Sequence, residues 1–371
     1  MIRVLHVVGK MHRGGIETLL MEIYRKIDRS KIQFDFIVNT HEVGNYDQEI
    51  KKLGGNIYYI PPRTEGIKNN YLEILKICKD NRDIKIVHNH LSSLTYLEPL
   101  RAAKNAGIKV RIAHSHNNNM DKSLYRSFLI KFNKLRKNYL CTDYFACSND
   151  AGKWMFGSKW DSNGVLIKNG INSKFFLFNE EKRNEMRKKL DIEKDFVVGF
   201  IGRFELQKNP LFLIEIFKEI VKKHPASKLL LVGEGSMHNK MNTKLIEYGL
   251  KDYVIYTGVV DDVYNYINAM DSLVQPSIFE GLGIIFIEGQ ANSLMCFGSD
   301  KVPIDAKFSN YYHSISLNSS NKEWADKILE YSINYKRNTN MEQLIKKSHY
   351  DISYTKLFLE NFYLERGNYD R

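Results

Sequence analysis

Four ionisable side chains follow apolar, strand-length runs. Arg203 and Lys208 come after residues 196–201, and Glu280 and Glu288 come after residues 272–275. A guanidinium can grip two phosphate oxygens in a fork while a lysine acts as a point charge, so this pair can neutralise a departing diphosphate without a metal. Carboxylates accept hydrogen bonds from sugar hydroxyls. Acids and bases on neighbouring strand exits therefore suit a site for a nucleotide sugar. The two glutamates stand eight positions apart, with Gly281, Leu282 and Gly283 between them, and the apolar run from Ile284 opens a helix. A helix beginning in such a turn aims backbone N–H groups at an anion.

Other residues at strand exits extend this set. Gly14 and Gly15 follow the first apolar run, where a glycine pair lets the chain approach a diphosphate closely. The fingerprint Gly-x-Gly-x-x-Gly is absent there, which counts against a dinucleotide oxidoreductase. His114 and His116 follow the run 110–113 and precede Asn117, Asn118 and Asn119. An imidazole near its ordinary pKa can share a proton or hydrogen-bond a sugar hydroxyl. His88 and His90 end the preceding strand and either shape an acceptor pocket or cap the sheet, whereas His6, inside a strand, reads as a core residue. These histidines lack a metal-ligand spacing on one helix, so no metal site is expected. Gly233-Glu234-Gly235 and Thr257-Gly258-Val259 are glycine-rich strand exits of the kind any parallel sheet uses.

Positioning these residues requires strands alternating with helices, and the chain repeats that grammar twice. Strands are predicted over residues 2–8, 34–39, 56–60, 84–88, 110–113, 144–147 and 164–167. After a charged segment at 179–194, more follow at 196–201, 228–232, 253–256, 272–275, 295–297 and 314–317. Alternation of this kind means parallel sheets with crossover helices. The expected class is α/β, with two Rossmann-like doubly wound domains at 1–173 and 174–350 and a ligand crevice between them beyond the strand ends.

A chain of 371 residues with 43% apolar content can bury two ordinary cores. The first strand is too short for a signal peptide core, and no apolar stretch approaches the roughly 18 to 20 residues of a membrane span, so a cytoplasmic protein is expected. Cys78, Cys141, Cys147 and Cys296 are scattered and read as reduced, buried thiols. The formal charge of +12 attracts phosphorylated substrates, anionic lipid surfaces and polyanions alike. No recognisable nucleic-acid module accompanies it. Lys122, Arg126, Lys131, Lys134, Arg136 and Lys137 interleave with Leu124, Tyr125, Phe128, Leu129, Ile130, Phe132 and Leu135. Either that segment is a basic amphipathic helix on an anionic membrane surface, or its apolar face packs inward and its lysines are merely solvated.

The segment Gly202-Arg203-Phe204-x4-Lys208-Asn209-Pro210 and the Glu280-x7-Glu288 spacing resemble the retaining glycosyltransferases of the two-Rossmann-domain (GT-B) architecture, specifically family 4, or glycosyl transferases group 1. The likeness spans most of the chain and extends to enzymes of capsule or exopolysaccharide biosynthesis. It implies transfer of a sugar, with retention, from a nucleotide-diphosphate donor, by family frequency a UDP-sugar. The acceptor is a hydroxyl of a glycan or lipid-linked oligosaccharide. No metal or other cofactor is implied.

By the resemblance, the catalytic residues are His116, Arg203, Lys208 and Glu280, with His114 as the alternative to His116. Donor binding falls to Gly14, Gly15, Arg203, Lys208, Gly233, Glu234, Val259, Glu280, Gly281, Leu282, Gly283 and Glu288. Within that set Glu280 meets the sugar and Glu288 the ribose. Acceptor binding falls to His88, His90, His114 and Asn117. The resemblance also implies that the tail, about 351–371, packs back on the first domain; peripheral contact with the inner face of the membrane is a separate expectation, carried by the basic segment. The family commonly has proline where this chain has Gly283, and Gly-Leu-Pro where it has Ser293-Leu294-Met295, which bears on which sugar fits. A nucleotide-sugar epimerase of the same fold and a non-catalytic nucleotide-sugar-binding subunit are the rival readings.

Overall fold

The apolar runs assemble into two all-parallel sheets. In the first are β1 (Ile2–Val8), β2 (Ile32–Val38), β3 (Ile57–Tyr59), β4 (Ile84–Leu91), β5 (Val110–Ser115), β6 (Asp143–Ala146) and β7 (Gly164–Leu166). The second holds β8 (Phe196–Ile201), β9 (Ser227–Val232), β10 (Val254–Gly258), β11 (Ser272–Gln275), β12 (Met295–Ser299) and β13 (Tyr312–Ile315). The computed structural model describes residues 1–117 and 124–368, and the backbone alone for 124–126.

Helices cover both faces of a parallel sheet, so its strands are buried on both sides and read as continuous apolar runs. Every residue of β2 and of β8 is buried. The one acid inside β2, Asp35, is held by Arg3 Nη1 at 2.7 and 2.9 Å and by the backbone N–H of Asn56 at 2.8 Å. A buried carboxylate persists only with such partners.

The strand orders are β3-β2-β1-β4-β5-β6-β7 and β10-β9-β8-β11-β12-β13. In each sheet the winding reverses once, between β1 and β4 and between β8 and β11. At such a switch point the two strand exits diverge, which leaves a crevice beyond the carboxyl ends where ligands of open α/β sheets bind.

The chain divides into two compact units, Met1–Ile171 with His349–Arg371, and Asn172–Ser348. Each has its own apolar core. The helix Ile352–Gly367, capped by Asp351, belongs to the first unit. Thr355 Oγ1 donates to the Lys168 carbonyl at 2.7 Å, and Glu360 accepts the N–H of Asp28 at 3.0 Å. All four cysteines are buried thiols outside any disulfide. Among the described residues no helix is long and apolar enough to cross a membrane.

Candidate active site

In the second unit the exits of β8, β9 and β10 are knitted by backbone bonds: Gly202 N–H to Val232, Gly233 N–H to Gly258 and Phe204 N–H to Glu234. The approach is so close that a Cβ on Gly233 would lie 2.1 Å from the Gly202 carbonyl oxygen, and Gly233 has φ +130°. Only glycine combines that conformation with that contact. After β8 the chain makes a short 3-10 turn, Leu206–Lys208, and Asn209 in the left-handed region redirects it into the helix Pro210–Lys223. Asparagine tolerates that region, and proline suits the first helical position.

This turn is stitched across the switch point to the loop after β11. Ile278 N–H donates to the Gln207 carbonyl at 2.8 Å, and Gln207 Nε2 donates to the Phe279 carbonyl at 3.1 Å. The stitching brings Lys208 Nζ to 2.6 Å from Glu280 Oε1, which also accepts from Ser277 Oγ at 2.6 Å. Glu280 is 4% exposed. Arg203, by contrast, is exposed, and its guanidinium makes no hydrogen bond or ion pair among the described residues. One cation is thus fixed by an acid while the other is free to take an anion.

Gly283, at φ +85°, starts the helix Ile284–Ala291, on which Glu288 sits one turn in. The Glu288 carboxyl makes no hydrogen bond or ion pair among the described residues, and desolvation pushes it up to about 8. A carboxyl short of partners suits a neighbour that brings hydroxyl donors. Gly281 and Leu282 are buried in the turn, whereas Glu234 and Val259 stand exposed on the β9 and β10 exits.

The first unit's switch point is lined differently. β1 registers His6 against His88 of β4, and β4 registers His90 against His114 of β5, so these residues and His116 share one face of the sheet. His6 Nδ1 lies 3.0 Å from His90 Nε2, and His90 Nδ1 lies 2.9 Å from His116 Nε2. His88 Nε2 lies 3.1 Å from His114 Nδ1, and His88 Nδ1 lies 2.7 Å from the Tyr363 hydroxyl. Burial pushes His6 and His116 down to about 3 and holds His88, His90 and His114 well below the ordinary imidazole value. The cluster is uncharged near neutral pH.

His116 and Asn117 are partly exposed just beyond β5, and Asn118 and Asn119 lie outside the described residues. The expectation that His88 meets an acceptor is corrected: it is fully buried, and both of its ring nitrogens are engaged within the fold. His114 is buried as well, while His90 keeps some exposure. Gly14 has extended backbone and caps the helix Gly15–Lys26, and a Cβ on Gly15 would meet nothing within 4 Å. Neither glycine is required by backbone strain, but the space above Gly15 is open.

Sequence reasoning missed Ser277 and Gln275. Ser277 shares Glu280 with Lys208, and Gln275, fully buried at the end of β11, has both amide atoms without a hydrogen-bond partner. Position was the available signal, since both flank Pro276 at the exit of the strand that carries Glu280.

The helix Leu124–Leu140 runs against the usual pattern. Phe128, Phe132, Leu135 and Tyr139 are 70%, 48%, 81% and 72% exposed, and their 4-3-4 spacing makes one outward stripe. Ile130, Asn133, Lys137 and Leu140 face inward, with Asn133 Nδ2 donating to the Leu94 carbonyl at 2.7 Å. Lys137, expected on the basic face, is instead buried. Lys122 and the side chains of Leu124, Tyr125 and Arg126 lie outside the described residues.

The model of the family described as "Glycosyl transferases group 1" matches residues 182–348. The chain is 31% identical to "Putative glycosyltransferase EpsF" of Bacillus subtilis (strain 168) over 88% of this chain and 86% of that protein. It is 24% identical to "Capsular polysaccharide biosynthesis glycosyltransferase CapH" of Staphylococcus aureus over 99% of each. Among solved structures, Anabaena HepE, crystallised with UDP and glucose, superposes with a TM-score of 0.80 at 14% identity, covering 98% of this chain and 99% of that one. The second sheet's Arg203, Lys208, Glu280 and Glu288 fall within the matched family segment, and the two-Rossmann-domain (GT-B) fold runs the length of the chain. This protein belongs to the group 1 glycosyltransferases.

Proposed function

We propose that the enzyme transfers a sugar, with retention of anomeric configuration, from a UDP-sugar to a hydroxyl of a glycan or lipid-linked acceptor in cell-surface polysaccharide assembly. The observation that carries this reading is that Arg203, the Lys208–Glu280 pair and Glu288 all follow the two strands of one switch point, β8 and β11, with Lys208 and Glu280 in contact across it. The bound UDP and glucose of HepE and the capsular role in the name of CapH support the donor and the pathway.

Arg203 binds the diphosphate through its open guanidinium, and Lys208, held by Glu280, adds a fixed positive charge beside it. With two cations placed there, the site stabilises the leaving group without a metal. Glu280 orients sugar hydroxyls with the lone pairs that Lys208 and Ser277 leave open, and Glu288 accepts from the ribose hydroxyls. Gly233, Glu234, Val259 and the Gly281-Leu282-Gly283 turn border the donor, and Gly14 and Gly15 leave room for its phosphates. As the bond from the anomeric carbon to the diphosphate oxygen breaks, the acceptor oxygen bonds to that carbon on the same face. The acceptor's proton passes to the departing phosphate. We assign His116, or His114 in its place, to the reacting centre, and His90 and Asn117 to the acceptor.

The outward stripe of the helix Leu124–Leu140 rests on an anionic bilayer surface, such as the cytoplasmic leaflet. Lys131 and Lys134 are exposed beside it, and the Arg136 guanidinium lies 5.1 Å from the Phe132 ring centre. Aromatic side chains enter the headgroup boundary while the flanking cations meet anionic lipid.

Arg203→Ala tests the transferase reading. Losing such an electrostatic contact lowers turnover by on the order of a hundredfold. Turnover within a few-fold of wild type would overturn the assignment.

A further inference from the structure

The histidines of the first unit form two flat ribbons laid one on the other. One runs Tyr363–His88–His114 and the other His6–His90–His116, each bond stepping diagonally to the next strand and toward the sheet's carboxyl edge. Within a ribbon the rings meet nitrogen to nitrogen. Between ribbons they stack, His88 on His90 at 4.3 Å and His114 on His116 at 4.0 Å.

The triads His6, His88, His90 and His90, His114, His116 have ring nitrogens close enough together to suggest a metal ion. Ring orientation argues otherwise. A metal needs three ring lone pairs converging on one point. Here the nitrogens of each triad that pair within a ribbon point at one another, and the third ring is stacked above them, tilted by only 18° for His88 on His90.

Each neutral imidazole has one N–H and one lone pair, so all the hydrogen bonds of a ribbon must point the same way. If the Tyr363 hydroxyl donates to His88, one group is left without a partner, the N–H at His114 Nε2. If Tyr363 accepts instead, its own hydroxyl proton and His114 Nε2 are both left over. Buried polar groups favour the arrangement with fewer orphans, so the first ribbon has a set direction. The second has none: His6 Nε2 and His116 Nδ1 both lack partners, and reversing the ribbon exchanges an orphan N–H at one end for an orphan lone pair at the other.

We propose that the ribbons position the transfer site: Tyr363 and His88 hold His114 as a fixed N–H donor, while His6 and His90 hold the His116 ring and leave its donor-or-acceptor polarity free to follow the bound ligand. The proposal rests on the reading of His116 as a residue of the reacting centre. His6, His88, His90 and Tyr363 are positioning residues. With Nε2 tied to His90, Nδ1 is the His116 nitrogen left for a ligand. A sugar hydroxyl can both donate and accept, and a ring able to take either role can stay bonded to it when the hydroxyl turns.

The test is ¹⁵N-histidine NMR of the full chain, which reads each ring's charge and tautomer, with and without UDP-glucose. Five neutral rings at pH 7 are expected, with His114 protonated at Nε2, and Tyr363→Phe should scramble the His114 tautomer. His6→Leu should shift the tautomer of His116, leave UDP affinity within about twofold, and lower kcat about tenfold with KM unchanged. A doubly protonated ring among the five, one equivalent of zinc retained by the protein, or variants whose His114 and His116 tautomers match wild type would overturn the proposal. The NMR result decides the ribbons whether or not transfer is detected, so a failed transferase reading is told apart from a failed ribbon.

Discussion

The two sheets break their winding order at equivalent places, yet one switch point is lined by uncharged rings and the other by free and paired charges. At β1 and β4 the polar groups are imidazoles that hydrogen-bond one another, three of them buried and His90 and His116 partly exposed. At β8 and β11 an exposed Arg203 follows β8, and the Lys208–Glu280 pair joins the exits of the two strands. The same topology supplies a crevice in both, and side-chain chemistry decides what each can bind. Charge in the second unit suits a diphosphate that leaves as an anion; neutral imidazoles in the first suit hydroxyl groups.

The sharpest way to separate the halves is acid. Unfolded histidines titrate near 6.5, whereas burial holds His6 and His116 at about 3 and the other three well below 6.5. The unfolded chain therefore binds more protons in that window, and stability is lost as pH falls below about 6.5, by up to about 1.4 kcal/mol per ring for each pH unit. Hydrogen exchange between pH 6.5 and 5 should show the first sheet opening while the second stays protected. Equal opening in both would remove the contrast.

Removing one member of the charged pair should cost stability as well as turnover. Lys208→Ala leaves Glu280 buried without its cation, at about 3 kcal/mol. The double variant Lys208→Met/Glu280→Gln should recover most of the melting temperature and none of the activity. Arg203→Ala should behave in the opposite way, with a melting temperature within a degree or two of wild type.

A smaller effect is expected at Glu288. Burial pushes its carboxyl up to about 8 from the ordinary 4.5, so between those values the folded chain holds a proton that the unfolded chain has lost. Stability contributed by this group accordingly falls as pH rises from about 4.5 through 8. Ribose hydroxyls favour the carboxylate, so UDP affinity should strengthen by up to about tenfold from pH 7 to 9. Calorimetry on Glu288→Gln should show a flat profile over that range. Smallest, and confined to the first unit, Phe128→Ser/Leu135→Ser should weaken co-sedimentation with anionic liposomes about tenfold without changing UDP affinity. Unchanged sedimentation would leave the exposed stripe without its proposed partner.

Each of the thirteen strands among the described residues overlaps a run read from the sequence; the central ones, buried on both faces like β8, are near-continuous apolar runs, whereas β3, β7 and β10 are only partly buried. Their ends were less legible where it mattered most. The apolar signal of β4 stops at His88 while the strand continues through Asn89 and His90 to Leu91, and β5 continues through His114 to Ser115. A polar residue at a site looks like the end of a strand even when the ladder goes on. Pairings across the sheet were equally hidden: Lys208 and Glu280 each invite a role alone, and nothing in a spacing of 72 residues says that they touch. Composition marked the helix Leu124–Leu140 as amphipathic without giving its orientation, because Asn133 and Lys137 lie on the inward face.

The most direct measurement is a thermal-shift panel of the full chain with UDP, GDP, ADP and several of their sugars, each with and without EDTA. A nucleotide present at a hundredfold its dissociation constant stabilises by about 2.7 kcal/mol. A selective shift with UDP or a UDP-sugar, insensitive to EDTA and lost in Arg203→Ala, is the predicted result. No shift with any nucleotide, or a shift that vanishes with EDTA, would contradict a metal-free donor site at the β8 and β11 switch point.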